Sequence, residues 1–273
     1  MSTMSETLKQ IPIRRYQQGR VQAVADQVVV EEPLEIRLAG EPFQVLMRLP
    51  GYEKELALGF LFTEGIVRDL SEVITIHFCG TATEPLLPPN VVDVRLTEAA
   101  LERRSRRHLE VSYSSCGLCA KEAVDEICRK VTPVASPLTL SPDRLLALMA
   151  RLSETQAVFQ ATGGTHAVAL ASPDGQIFIS AEDIGRHNAM DKVIGRALWE
   201  RRNFAQLTAL LSGRISFEMA LKAARAGVPI LAAVSAPTLM AIELAQELNL
   251  TLAGFARRDY LNIYTHPERL GVK

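Results

Sequence analysis

Apolar and polar positions alternate with a period of two over Leu34-Glu35-Ile36-Arg37-Leu38, the mark of a half-buried strand, and Val28 to Val30 reads as another. Ala39-Gly40-Glu41 turns the chain into Phe43 to Arg48, which predicts a hairpin broken by Pro50-Gly51. Glu53 to Phe62 predicts a short helix that stops near Gly65. Two further strands, Val73 to Phe78 and Val91 to Leu96, flank a proline-rich loop. Residues 1 to about 20 show no apolar period and read as a tail. The pattern then changes. Ser141-Pro142-Asp143 opens a helix with N-cap, N1 proline and first-turn acid in their preferred places. Thr165 to Ala171 and Gln176 to Ser180 pair across Asp174-Gly175. A helix from Gly185 to Trp199 leads into strand Leu207–Leu211, helix Ile215–Ala226, strand Pro229–Val234, helix Pro237–Leu248 and strand Leu250–Phe255. A last strand covers Leu261 to Tyr264. Nearly uninterrupted apolar strands alternating with helices predict parallel strands covered on both faces.

Thr132-Pro133-Val134-Ala135-Ser136-Pro137 is the stretch most like a linker. The expected organisation is α/β in two lobes: a flexible tail over 1–20, an α+β lobe over 21–135, and an α/β/α lobe over 136–273. At 48% apolar residues there is material for a sizeable core, and a net charge of −1 argues against whole-molecule attraction to nucleic acid or membrane. No apolar run approaches the roughly 18 to 20 residues that span a bilayer, and the N-terminus lacks a secretory apolar region. Four cysteines in so large a chain speak against structural disulfides. These features together read as a cytoplasmic globular protein.

The chemistry is expected in SYSSCGLCAKEAVDEICRK, residues 112–130. A polar turn runs into a helix there, with Ser114 and Ser115 as caps and Cys116 and Cys119 at the mouth. Unpaired amides, the helix dipole and the nearby Lys121 all favour thiolate over thiol. Half a zinc site, a redox dithiol and a sulfur carrier each fit this pattern. For zinc, Cys128 and either His77 or Cys79 would complete the set, but the spacing is irregular for paired ligand doublets, which disfavours a metal held by side chains. A redox dithiol of thioredoxin type would follow a core strand, whereas this one follows the Arg-rich segment Leu101 to Glu110. Arg103, Arg104, Arg106 and Arg107 there read either as a solvated face or as a patch that steers an anion or acidic partner.

In a parallel layer, ligands bind beyond the carboxyl ends of the strands. Two predicted strand-to-helix turns lie there, one holding Ser212, Gly213, Arg214 and Ser216 and the other Ser235 and Thr238. Both helix mouths can meet phosphate through free amides. Neither a P-loop nor a dinucleotide fingerprint is present. Asp183 reads as the N-cap of the next helix, and Arg186 and His187 in its first turn are placed to meet an anion or donate a proton.

Cys116-Gly117-Leu118-Cys119, Thr162 to His166, Glu182 to Lys192, Ser212 to Met219, and Gly254-Phe255 followed by Asn262 to Leu270 form an ordered set that resembles the FdhD/NarQ family, the formate dehydrogenase accessory sulfurtransferases. The resemblance runs from about Glu31 to the C-terminus. It implies a two-lobed α/β protein whose C-terminal lobe has a cytidine-deaminase-like fold without the zinc site, and a homodimer. It implies a persulfide taken from a cysteine desulfurase and passed to the molybdenum or tungsten of the bis-(molybdopterin guanine dinucleotide) cofactor, bis-MGD, before that cofactor enters formate dehydrogenase. The sulfur-bearing residue falls on Cys116, with Cys119 as its second cysteine. The cofactor contact falls on Phe255, Ala256, Arg257, Arg258, Asp259 and Tyr260, to which the residues themselves add Gly213, Arg214, Arg186 and His187. The rival reading is a molybdenum-cofactor chaperone whose cysteines are structural or redox-sensing.

Overall fold

The computed structural model describes residues 7–79, 90–110 and 130–272. The chain begins with a two-stranded ribbon, β1 (Leu8–Gln17) and β2 (Arg20–Val29), paired antiparallel over ten residues. Residues 8–17 are therefore strand, where a tail was expected. Their alternation is interrupted by Pro12, which an edge strand tolerates because one side of its backbone needs no donor.

A four-stranded sheet follows in the order β4-β3-β6-β5. It is built from β3 (Glu32–Leu38), β4 (Glu41–Arg48), β5 (Val73–Cys79) and β6 (Val91–Leu96). Leu34, Ile36 and Leu38, the apolar half of the period-two run, bury completely against α1 (Glu53–Thr63) and against Val92 and Val94. The arginine-rich segment lies within a second helix, α2 (Glu98–Glu110). Arg103 is tied to Glu72 and to the Ile66 carbonyl, and Arg104 lies over the Phe43 ring, so these two fasten the helix to its own lobe.

Beyond residue 130 the chain forms α3 (Pro142–Glu154), α4 (Ala157–Thr162), β7 (His166–Ala171), β8 (Ile177–Asp183) and α5 (Arg186–Trp199). It continues with β9 (Thr208–Leu211), α6 (Phe217–Ala226), β10 (Ile230–Ala233), α7 (Leu239–Glu247), β11 (Thr251–Arg257) and β12 (Tyr260–Ile263). The strands make one six-stranded sheet, β12-β11-β10-β9-β7-β8. Its centre, β9-β10-β11, is parallel as predicted, while β12 and β7 run the other way. Because β8 is antiparallel to β7, it points the same way as β9.

Successive residues of β10 alternate between two cores, Leu231 and Ala233 facing α5, α6 and α7, and Ile230 and Ala232 facing α3. That is the three-layer arrangement expected. Each fully buried leucine in these layers contributes about 1.5–3 kcal/mol.

The two lobes meet along α1 and α5, which cross at paired glycines. A Cβ on Gly59 would lie 1.8 Å from the Asp191 carbonyl oxygen, and one on Gly195 would lie 1.9 Å from that of Glu55. Backbones can come this close only where neither helix carries a side chain. Beside the crossing, Lys222 Nζ of α6 donates to both carboxylate oxygens of Asp191 at 2.8 Å and to Thr63 Oγ1 at 2.8 Å. Thr63 Oγ1 in turn donates to Asp191 at 2.7 Å. One buried knot therefore joins α1, α5 and α6.

Candidate functional site

Five segments reach the same end of the six-stranded sheet: the start of β7, the ends of β8, β9 and β10, and the β11–β12 turn. β7 enters at His166, opposite Asp183 at the end of β8. From β8 to β11 this edge spans four strand spacings, about 19 Å.

Asp183 corrects one expectation. The cap position of α5 is Gly185, and Asp183 is the last residue of β8, wholly buried. Its Oδ2 lies 2.7 Å from Lys192 Nζ and accepts from the Leu49 amide at 3.2 Å. Its Oδ1 accepts from the Gly185 amide and from Asn188 Nδ2. Lys192 also donates to the Leu49 carbonyl at 2.9 Å, and Asn188 to that of Met47 at 2.8 Å. The segment after β4 is thus clamped to the head of α5, which fixes where Arg186 and His187 stand.

Those two side chains face the edge. His166 is drawn in among them: a Cβ on Gly213 would touch its Nδ1 at 3.3 Å and Arg186 Cδ at 4.0 Å. Glycine at 213 leaves room for imidazole and guanidinium to come together. Burial, then the charges of Arg186 and Arg214, hold the His166 pKa below 6.5. Burial and Arg186 do the same for His187, against the opposing pull of Glu218. His187 Nε2 lies 2.7 Å from Glu218 Oε2, the carboxylate that pulls its pKa the other way.

Among the described residues, the buried atoms Arg186 Nε and Ser216 Oγ have no hydrogen-bond partner. Ser216 stands at the N-cap of α6 without capping it. The neighbouring mouth differs. Thr238 caps α7 by accepting from the Ala241 amide at 3.3 Å. The loops are stitched together, Ile215 N to the Ala236 carbonyl and Thr238 N to that of Ile215. Of the two helix mouths singled out in the sequence, the one at α6 keeps its hydroxyl uncommitted.

The 255–260 segment divides. Ala256 is fully buried, so its side chain belongs to the core and offers nothing to a ligand. Phe255 is half-buried at a bulge with φ 54° and donates its amide to the Ser235 carbonyl. Arg257, Arg258, Asp259 and Tyr260 are exposed and form the hairpin turn, with Arg257 paired to Tyr260. Arg257 lies three residues beyond the level of Gly254, so the turn overhangs the edge by about 10 Å.

Cys116, Cys119 and Cys128 lie outside the described residues. Among the described residues no three His, Cys, Asp or Glu side chains gather as metal ligands would, and no helix is long and apolar enough to cross a membrane.

The FdhD/NarQ family model matches residues 29–271. The chain belongs to the FdhD/NarQ family. Among similar family members, the sulfur carrier protein FdhD of Mycolicibacterium paratuberculosis is 45% identical over 93% of this chain and 95% of its own. That of Streptomyces avermitilis is 43% identical over 100% of this chain and 98% of its own. The fold is also that of a candidate formate dehydrogenase accessory protein from Desulfotalea psychrophila, known from its crystal structure. The two superpose with a TM-score of 0.78 over 97% of this chain and 99% of the other, at 23% identity. The family thus has a sulfur-carrier role, and its motifs sort into structural and site-facing parts. In Glu182 to Lys192, Glu182 caps α4 by accepting from the Val158 and Phe159 amides, and Asp183, Asn188, Asp191 and Lys192 hold the lobes together. Arg186 and His187 alone of that motif's ionisable residues stand at the site edge. His166, read in the sequence as part of the Thr162 to His166 motif at the start of a strand, belongs with them.

Proposed function

We propose that this chain carries sulfane sulfur on Cys116 and delivers it to the metal of bis-MGD, the step needed for formate dehydrogenase activity. In the first step the Cys116 thiolate attacks the outer sulfur of a cysteine desulfurase persulfide. The S–S bond breaks, Cys116 becomes a persulfide, and the desulfurase leaves as thiolate. Attack of the Cys119 thiolate on the inner sulfur of Cys116 then forms a Cys116–Cys119 disulfide and releases hydrosulfide at the metal, with no external oxidant or reductant in that step.

The observation that carries the reading is the set of positive and uncommitted donors at the strand ends, in a chain whose relatives are sulfur carriers. Arg186, Arg214, His166 and His187 converge there with Arg186 Nε and Ser216 Oγ, which have no partner among the described residues, and the Arg257-Arg258 turn projects from the same end of the sheet. Guanidinium groups and a free hydroxyl suit the phosphates and guanine of the cargo through charge-assisted hydrogen bonds. The cytoplasm is the compartment that goes with this work.

The test is mass spectrometry of the 112–130 peptide after incubation with cysteine and a desulfurase. An added sulfur on Cys116 is expected in the wild type and none in Cys116→Ala, which should still bind the cofactor. No added sulfur on the wild type, or formate dehydrogenase maturation supported by Cys116→Ala, would leave the chain as a cofactor chaperone.

A further inference from the structure

His166 is the first residue of β7, and both ladders that hold this strand run out around it. On the β8 side the last pair is His166 with Asp183, and on the β9 side it is Val168 with Leu211. Side chains take over from there. Thr165, buried and outside both ladders, donates its hydroxyl to Glu182 Oε2 at 2.6 Å. The Ala167 amide donates to Ser212 Oγ at 2.8 Å, and the Ser212 amide returns a bond to the Ala167 carbonyl at 3.0 Å. The residues on either side of His166 are therefore each fixed through a hydroxyl, one to β8 and one to the turn after β9.

Strand geometry turns these bonds into an orientation, because successive side chains point to opposite faces. Ala167 joins the core under α3, and Thr165, two residues earlier, reaches the carboxylate that meets the first amides of α4. His166 must then face the α5 side with Val168 and Leu170, where Gly213 leaves it room beside Arg186. The imidazole is not hydrogen-bonded to any described residue, so its direction comes from the backbone. A slip of one residue at the strand end would send it to the opposite face. Glu182 satisfies the α4 amides with or without Thr165, so the helix does not need the Thr165 hydroxyl. The Ser212 amide joins the two chains without its hydroxyl as well.

We propose that Thr165 and Ser212 are positioning residues for His166, holding it turned toward Arg186 and Arg214 so that its imidazole meets the anion bound there. This rests on the reading of the strand-end edge as the cofactor-binding site, and adds to it the groups that orient one of its side chains. Three of the family motifs, Thr162 to His166, Glu182 to Lys192 and Ser212 to Met219, then meet at one task. Each supplies one part of the frame around a single ring.

Calorimetric titration of the full chain with guanosine diphosphate as the probe tests it, with thermal unfolding as the check on folding. Thr165→Val keeps the outline of the side chain and removes the hydroxyl, and Ser212→Ala removes the hydroxyl on the other flank. Each should bind about threefold to tenfold more weakly than wild type, the worth of one hydrogen bond. Thr165→Ser, which keeps the bond to Glu182, should bind like wild type. In a His166→Ala background Thr165→Val and Ser212→Ala should change the affinity no further, because the group they orient is gone. The same loss in both backgrounds would make the two hydroxyls merely structural and overturn the positioning. Full affinity in both variants beside a weakened His166→Ala would overturn it too, while leaving the site intact. Undiminished binding by His166→Ala would remove His166 from the site and the positioning with it. A wild type that binds no guanosine diphosphate would instead sink the reading of the edge itself, on which this inference stands.

Discussion

Lys192 holds its ammonium nitrogen 2.7 Å from the Asp183 carboxylate, and neither side chain reaches solvent. Burial pushes the Lys192 pKa down, opposed by Asp183. The ammonium's other partners are the carbonyls of Leu49 and Glu182, so the pair closes the seam between the lobes and orients the residues that follow Asp183. Lys192→Met should leave the Asp183 charge buried without its counter-ion, at a cost of about 3–5 kcal/mol. Denaturant unfolding checks this. Asp183→Asn in the Lys192→Met background should recover part of the loss. A single-variant cost under about 1 kcal/mol would mean that the seam does not rely on the pair.

The glycine crossing makes a sharper demand. Gly59→Ala or Gly195→Ala drives a methyl into a carbonyl of the facing helix, and backbone cannot rotate away as a side chain can. Each should cost about 3 kcal/mol or more by forcing α1 and α5 apart. The two together should cost less than the sum, because one displacement relieves both contacts. Gly227 sits in the left-handed region with open space around it. Gly227→Ala should therefore cost only the backbone strain of about 1 kcal/mol, and thermal unfolding of the three variants separates crowding from conformation.

What the sequence made legible follows from how local each feature is. The β9–α6–β10–α7–β11 run was readable because each strand is apolar throughout and each helix keeps its period. β1 was not, because Pro12 and the paired arginines hide a weak alternation that only pairing with β2 turns into structure. The short helix α4 carries too few residues to show a period, and its N-terminal amides are satisfied by Glu182, more than twenty residues away. Asp183 two residues before a glycine and a helix has the local look of an N-cap. Its fate was decided by Leu49 and Lys192, which no local pattern could reveal. Arg186, His187 and Arg214 were found at the site because helix mouths at strand ends are a topological feature. His166 enters there only through the antiparallel register of β7. The C-terminal motif Asn262 to Leu270 tells the same story. Thr265 Oγ1 donates to the Leu250 carbonyl and accepts from the Leu252 amide, and Arg269 reaches Thr251, so part of this family signature is a clasp on the start of β11.

The two helix mouths give a paired prediction. Thr238→Ala removes a working cap and should cost about 1 kcal/mol. Ser216→Ala removes a hydroxyl that caps nothing and has no partner among the described residues, so stability should stay within about 0.5 kcal/mol of wild type or rise slightly. Binding of a guanine nucleotide to the same variants, measured by calorimetry, should reverse the ranking, with Ser216→Ala the weaker binder. Equal binding by both would remove Ser216 from the site.

Protonation gives the last prediction. His166 and His187 both have folded pKa values held below 6.5, chiefly by burial and then by Arg186, with Arg214 acting on His166 and Lys222 on His187; Glu218 pulls His187 the other way. A depressed pKa means that the unfolded chain takes up protons first as pH falls. The stability these imidazoles contribute is therefore complete above about pH 6.5 and is lost progressively on acidification through their folded pKa values. An anion bound among Arg186, Arg214 and the imidazoles offsets the guanidinium charges, raises both pKa values, and should bind more tightly at pH 5.5 than at pH 7.5. Unfolding of wild type and of His166→Gln with His187→Gln across this range isolates the effect from the carboxylates, since both proteins share them. The difference in stability should shift against the wild type as pH falls, and added phosphate should shrink that shift. A difference that stays constant from pH 7.5 to 5.5 would mean that neither imidazole titrates differently in the folded chain, and that the positive groups do not converge as described.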